Sequence, residues 1–125
     1  MSDAPGMVSA EHDRRVDYVE FGAPDLGVVK EFYRAVFGWQ FTDYGPDYTS
    51  FADGRLNGGF RRVERVTPGG PLVVMFATDL EQLAAAVTRA GGRIVQPIFS
   101  FPGGRRFHFR DPAGNELAVW SDRPG

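Results

Sequence analysis

Apolar and polar positions recur along this chain with two periods, and each change of period marks an element. Residues 16–21 (VDYVEF) combine β-branched and aromatic side chains as a strand does. The period then turns helical. Val28, Val29, Phe32, Tyr33 and Val36 recur at i, i+3 and i+4 spacing and predict the buried stripe of a helix over 26–36. Asp25 precedes it as an N-cap whose carboxylate accepts from free backbone N–H groups, and Gly38 ends it. Strands are predicted over 39–42, 48–52 and 58–66, with Gly45 and Pro46 turning the chain between the first two.

The pattern then restarts. Residues 71–77 (PLVVMFA) read as a strand, and Asp79 as a second N-cap with Gln82 three residues on, as in a capping box. A helix over 80–90 carries Leu80, Leu83, Ala84 and Val87 on one face, and Gly91 and Gly92 stop it. Strands over 93–98, 105–109 and 116–121 complete the half. The order βαβββ therefore occurs twice, with Phe51-Ala52-Asp53-Gly54 matching Phe109-Arg110-Asp111-Pro112. The expected class is α+β, one domain over 14–125 after an N-terminal arm of residues 1–13. Modules of about 14–66 and 70–122 are expected to pair as a cupped eight-stranded mixed sheet with helices on its outer face.

Composition narrows the function classes. A chain of 125 residues, 42% hydrophobic, builds one core. The formal net charge of -2 gives no basic footprint for nucleic acid. Arg61, Arg62 and Arg65, and again Arg105, Arg106 and Arg110, therefore read first as solvated positions. The absence of cysteine excludes disulfides, thiolate catalysis and cysteine-based zinc sites, and agrees with a cytoplasmic location. No apolar run reaches the roughly 20 residues that span a bilayer, and the first residues lack the apolar middle of a signal peptide.

Three stretches carry a resemblance: VEFGAPDLGVVKEFYRAVFGWQF, AGGRIVQP and DPAGNELAVW, with the helix start at Asp79-Leu80. On these the chain resembles the vicinal oxygen chelate superfamily, which includes glyoxalase and bleomycin-resistance proteins. The resemblance implies two βαβββ modules cupping a pocket. In metal-dependent members it implies a divalent ion held by His, Glu or Gln from the first and last strands of each module. The corresponding positions here are Tyr18, Leu72, Ala118 and one near Gly59 or Phe60. Leu, Ala, Gly and Phe side chains are not metal ligands and Tyr is a rare one. No metal and no other cofactor are therefore expected.

Strand alternation names the side chains that face the cup. With Val19 and Phe21 packed under the helix, Tyr18 and Glu20 face the other way. With Phe107, Phe109, Leu117 and Val119 packed inward, Arg106, His108, Arg110, Glu116, Ala118 and Trp120 face the cup. Tyr48 and Ser50 join them by the repeat, and Leu72, Val74 and Phe76 add apolar lining. The candidate ligand-binding set is Tyr18, Glu20, Tyr48, Arg106, His108, Glu116 and Trp120, a mixture that suits a small molecule. DPAGN, residues 111–115, reads as a turn whose Asp and Gly serve the backbone.

Three functions follow. The leading one is a glyoxalase/bleomycin-resistance-like protein binding a small aromatic or apolar molecule without a metal. The second is an enzyme, a lyase, isomerase or dioxygenase-like protein. It would use His108 with Glu20 or Glu116 for proton transfer or an unconventional metal site. The third is an interaction module, since the resemblance also implies a homodimer.

Overall fold

The computed structural model describes Glu11, residues 13–67 and residues 69–124; most of the expected arm, with His12, lies outside them. The first module comprises β1 (Tyr18–Ala23), α1 (Leu26–Phe37), β2 (Gln40–Asp43), β3 (Tyr48–Ala52) and β4 (Asn57–Arg62). The second comprises β5 (Val73–Phe76), α2 (Leu80–Arg89), β6 (Arg93–Phe101), β7 (Gly104–Arg110) and β8 (Glu116–Ser121). Each forms a four-stranded mixed sheet, in the orders β1-β4-β3-β2 and β5-β8-β7-β6. β1 runs parallel to β4 and β5 parallel to β8, while the remaining pairs are antiparallel. Among the described residues no helix is long and apolar enough to cross a membrane.

Both helices begin as their caps dictate. Asp25 accepts from the Val28 N–H at 3.3 Å and Asp79 from the Gln82 N–H at 3.0 Å. Gly38 closes α1 at φ 73°, a left-handed conformation that a Cβ disfavours. Burial along α1 falls on Val29, Phe32 and Tyr33, with Val36 half-buried. Val28, expected in the stripe, is 44% exposed, because at 100° per residue it lies at the margin of that face.

One core joins the modules. Tyr33 stacks on Trp39 at 4.4 Å, and Trp39 on Phe51 at 4.1 Å. Tyr33 also meets Phe60 of β4 at 5.4 Å, while Phe32 and Phe37 each reach Phe109 of β7 at 6.0 Å. α1 thus packs on the core faces of both sheets. Leu80 and Val87 of α2 complete the layer with Phe107, Leu117 and Val119. Each such side chain contributes about 1.5–3 kcal/mol by burial.

The largest departures from the expected strand limits are at β4 and β6, while β1, β2, β5 and β7 shift by one or two residues at their ends. β4 ends at Arg62, and the chain leaves the sheet where a strand to residue 66 is expected. β6 continues to Phe101, with irregular pairing between Ile94 and Phe99, where Pro97 has no N–H for the ladder. β7 starts at Gly104, so Pro102 and Gly103 form a tight hairpin turn between β6 and β7.

The turn between β7 and β8 does more than reverse the chain. Asp111 is buried, and its Oδ1 accepts from the backbone N–H of Ala113 and of Asn115, each at 2.9 Å. Its Oδ2 accepts from the Tyr33 hydroxyl at 2.8 Å and from Asn115 Nδ2 at 3.2 Å. Asn115 Nδ2 also donates to the Gly22 carbonyl at 2.9 Å. The motif read as backbone punctuation therefore ties the second module to α1 and β1 of the first. Burial holds the Asp111 carboxyl above its ordinary range, against the pull of these hydrogen bonds. Burial first, and then the charge of Asp111, raise the Tyr33 hydroxyl well above its own range. Asp111→Ala leaves buried donors in both modules without an acceptor and should lower unfolding free energy by about 3 kcal/mol. Tyr33→Phe removes one donor and should cost about 1–2 kcal/mol. Urea denaturation of both variants checks the order, and an Asp111→Ala change within 0.5 kcal/mol of wild type contradicts the joint.

Candidate functional site

On the face of the first sheet away from α1, β1 presents Tyr18 and Glu20, while Phe21 turns inward and stacks on Phe60 at 5.2 Å. β3 presents Tyr48 and Ser50, the latter opposite Gly59. The Tyr48 hydroxyl lies 2.9 Å from Glu20 Oε2 and 2.6 Å from the Tyr18 hydroxyl. A carboxylate only accepts, so Tyr48 donates to Glu20 and Tyr18 donates to Tyr48. The Tyr18 oxygen is left with lone pairs for a ligand, and Tyr18 is 44% exposed. Arg61 Nε stands 3.8 Å from Glu20 Oε1. Desolvation, then the hydrogen bonds to Tyr18 and Glu20, raise the Tyr48 hydroxyl above the ordinary phenol range.

The corresponding face of the second sheet is set by register. Phe76, Trp120, Arg106 and Phe99 lie in one row across it; Val74, Ala118, His108 and Gln96 lie in the next. Phe76 meets Trp120 edge-on at 5.3 Å, and the Arg106 guanidinium lies over Phe99 at 5.5 Å and Phe101 at 5.8 Å. His108 is 8% exposed, with Nδ1 3.1 Å from Glu116 Oε2, so the carboxylate orients the ring. Its Nε2 is sealed from solvent and has no partner among the described residues; Arg106 Nε is in the same state.

A cavity of about 910 Å³ brings the two modules together. Tyr18, Glu20 and Arg61 line it from the first sheet, Arg110 and Glu116 from the second, and Leu72 with residues 65–67 and 69–71 from the segment that joins the modules. Of the seven expected ligand-binding residues, Tyr18, Glu20 and Glu116 line this cavity; Tyr48 and His108 stand one hydrogen bond behind it. Arg106 and Trp120 lie further along the second sheet. Arg110, expected on the cup face by alternation, lines this space, and so do Arg61 and Arg65, which the sequence reading leaves as solvated positions.

The geometry also settles the four positions at which the resembled superfamily places metal ligands. Ala118 pairs with Val74, two residues beyond Leu72; Gly59 pairs with Glu20, two residues beyond Tyr18. Gly59 is therefore the fourth position, and Phe60 is core. A Cβ on Gly59 would stand 2.1 Å from the Tyr48 hydroxyl and 2.6 Å from that of Tyr18, so the two phenols fill the place a ligand side chain needs. Ala118 is 0% exposed. These residues do not fit a metal ion. Nor do Glu20, His108 and Glu116 gather as an unconventional site. Glu20 is engaged by Tyr48 and Arg61, and among the described residues no three His, Asp or Glu side chains are placed to hold one. Among the described residues Arg106 forms no ion pair with Glu20 or Glu116, whose carboxylates go to Tyr48 and His108.

Comparison with known proteins agrees with the fold. The family model described as the Glyoxalase/Bleomycin resistance protein/Dioxygenase superfamily matches residues 15–119. The anthracycline biosynthesis protein DnrV of Streptomyces peucetius is 35% identical over 124 residues, covering 82% of this chain and 45% of that protein. The chain thus spans about half the length of the curated relatives it matches. Among solved structures, a glyoxalase/bleomycin resistance protein/dioxygenase family enzyme from Burkholderia phytofirmans superposes with a TM-score of 0.77 at 17% identity, over 86% of this chain and 100% of that one. The fosfomycin resistance protein FosX of Mesorhizobium loti gives 0.73 at 16% identity, over 86% and 92%.

The two raised phenols predict the alkaline behaviour. Tyr33 and Tyr48 keep protons in the folded chain that the unfolded chain releases near pH 10, roughly the free phenol value. That contribution to stability is complete below about pH 10 and is lost as pH rises beyond it. Tyr48→Phe should therefore make the alkaline loss of stability shallower. It should also remove one late-ionising phenol from the tyrosinate absorbance titration. An unchanged titration would contradict the Tyr18–Tyr48–Glu20 chain.

Proposed function

The chain belongs to the Glyoxalase/Bleomycin resistance protein/Dioxygenase superfamily, and from that premise we propose that it holds a planar aromatic small molecule without a metal ion. The observation that carries this is the joint chemistry of the cavity and the second sheet. Phenol, hydrogen, alkyl and methyl stand at Tyr18, Gly59, Leu72 and Ala118, while rings and fixed charges surround them. Rings supply stacking area, and Tyr18, Glu20 and the arginines fix orientation. The curated relatives are named for anthracycline biosynthesis, and a fused-ring molecule is the kind of ligand such a surface takes.

The enzymatic reading rests on His108. A carboxylate orienting an imidazole is the arrangement of a general base. With Nε2 sealed beneath the surface, however, a substrate would first have to open the face, and binding alone requires no such step. We also propose that two copies pair. Leu72, Val74 and Phe76 form a half-exposed apolar row along edge strand β5, and the curated relatives are about twice as long. We further propose a cytoplasmic location.

A thermal-shift panel of planar aromatic compounds, run with and without divalent metals, tests the proposal. A true ligand at a hundred times its dissociation constant should stabilise by about 2.7 kcal/mol, independently of metal. Retention of stoichiometric metal, together with stabilisation by the ion alone, would sink it. His108→Ala should leave binding within about two-fold, since Nε2 makes no contact at the surface. Loss of turnover on an identified substrate with binding intact would instead favour the enzyme.

A further inference from the structure

We propose that Arg106 is an anion-binding point, so that the ligand of the second-sheet face is a planar aromatic carrying a carboxylate. This rests on the planar-ligand reading above and adds to it the ligand's charge. The guanidinium of Arg106 lies over Phe99 and Phe101, with Trp120 opposite on β8. The rings strip water from its faces, and its Nε is sealed without an acceptor. Its terminal nitrogens are not sealed and carry the charge to the surface.

No carboxylate answers that charge among the described residues. Arg61, Arg62, Arg105 and Arg123 each have a carboxylate partner. Glu116, on the strand beside Arg106, is committed to His108. Arg123 also lies over a ring, that of Phe76 at 5.4 Å, but Asp122 neutralises it. A part-buried cation without a counterion is costly to keep. A ligand carboxylate removes that cost through the planar, two-pronged geometry a guanidinium offers, while the ligand's rings stack among Phe99, Phe101 and Trp120. A neutral fused-ring molecule would gain the stacking and leave the cation unanswered.

The test compares anthraquinone-2-carboxylate with anthraquinone-2-carboxamide, equal in shape and differing in charge, by quenching of tryptophan fluorescence. The carboxylate should bind about ten-fold or more tightly, the usual advantage of a charge-assisted hydrogen bond. Raised salt should shrink the difference. Arg106→Gln should abolish the preference, bringing the two compounds to equal affinity. Because Arg106 has ring contacts and no ion pair to lose, its Tm should change by no more than a degree or two. Equal binding of the two compounds, or a preference that survives Arg106→Gln, overturns the anion point and leaves the planar-ligand reading standing. A fall in Tm of several degrees in Arg106→Gln also overturns it, by exposing a structural role. If neither compound nor anthraquinone itself binds, both readings fall together.

Discussion

A single buried carboxylate fixes how the halves of this molecule meet. Asp111 draws donors from its own turn and from Tyr33 of α1, while Asn115 beside it reaches the Gly22 carbonyl of β1. A charge survives in a protein interior only where its hydrogen bonds are met by well-placed groups. The relative position of the modules is therefore held by geometry as well as by apolar contact, which alone tolerates sliding. The cavity follows from this joint. Gly22 stands two residues beyond Glu20, and Asn115 immediately precedes Glu116, so fixing one pair sets the spacing of the other across the cavity.

The two sheets share a register and differ in chemistry. Tyr48 and Arg106 occupy equivalent places, as do Ser50 and His108, and Gly59 and Ala118. The first sheet has used these places for a phenol–phenol–carboxylate chain closed over Gly59. The second has used them for rings, a guanidinium and an imidazole locked to Glu116. Hydrogen-bonded phenols occupy or close two of the positions through which the superfamily's metal-dependent members hold an ion, Tyr18 and Gly59, and the apolar side chains of Leu72 and Ala118 stand at the other two. What remains accessible is stacking area, lone pairs on Tyr18 and the positive end of Arg106.

Much of this was legible before any coordinates. The caps at Asp25 and Asp79, the strands Tyr48–Ala52 and Glu116–Ser121, and the inward set Phe107, Phe109, Leu117 and Val119 all stand as expected. Each depends on a local period or on a side chain reaching its own backbone. The faces of Tyr18, Glu20, Arg106 and Trp120 followed by alternation. The position of Val28 did not, since a helix stripe has no sharp edge. The end of β4 was missed because residues 63–66 still look like a strand while the next module draws them away.

The sequence by itself determined two βαβββ units, the side chains on each sheet face and the absence of conventional metal ligands at all four expected positions. These are matters of period and side-chain type. Tertiary structure alone decided that Gly59 is the fourth position, that Glu116 serves His108 while Arg106 is left unpaired, and that Asp111 belongs to Tyr33. Those outcomes depend on distances between residues far apart in the chain. Several cross-strand partners were equally near in sequence logic, and only the strand register and side-chain packing of the folded sheets selected among them.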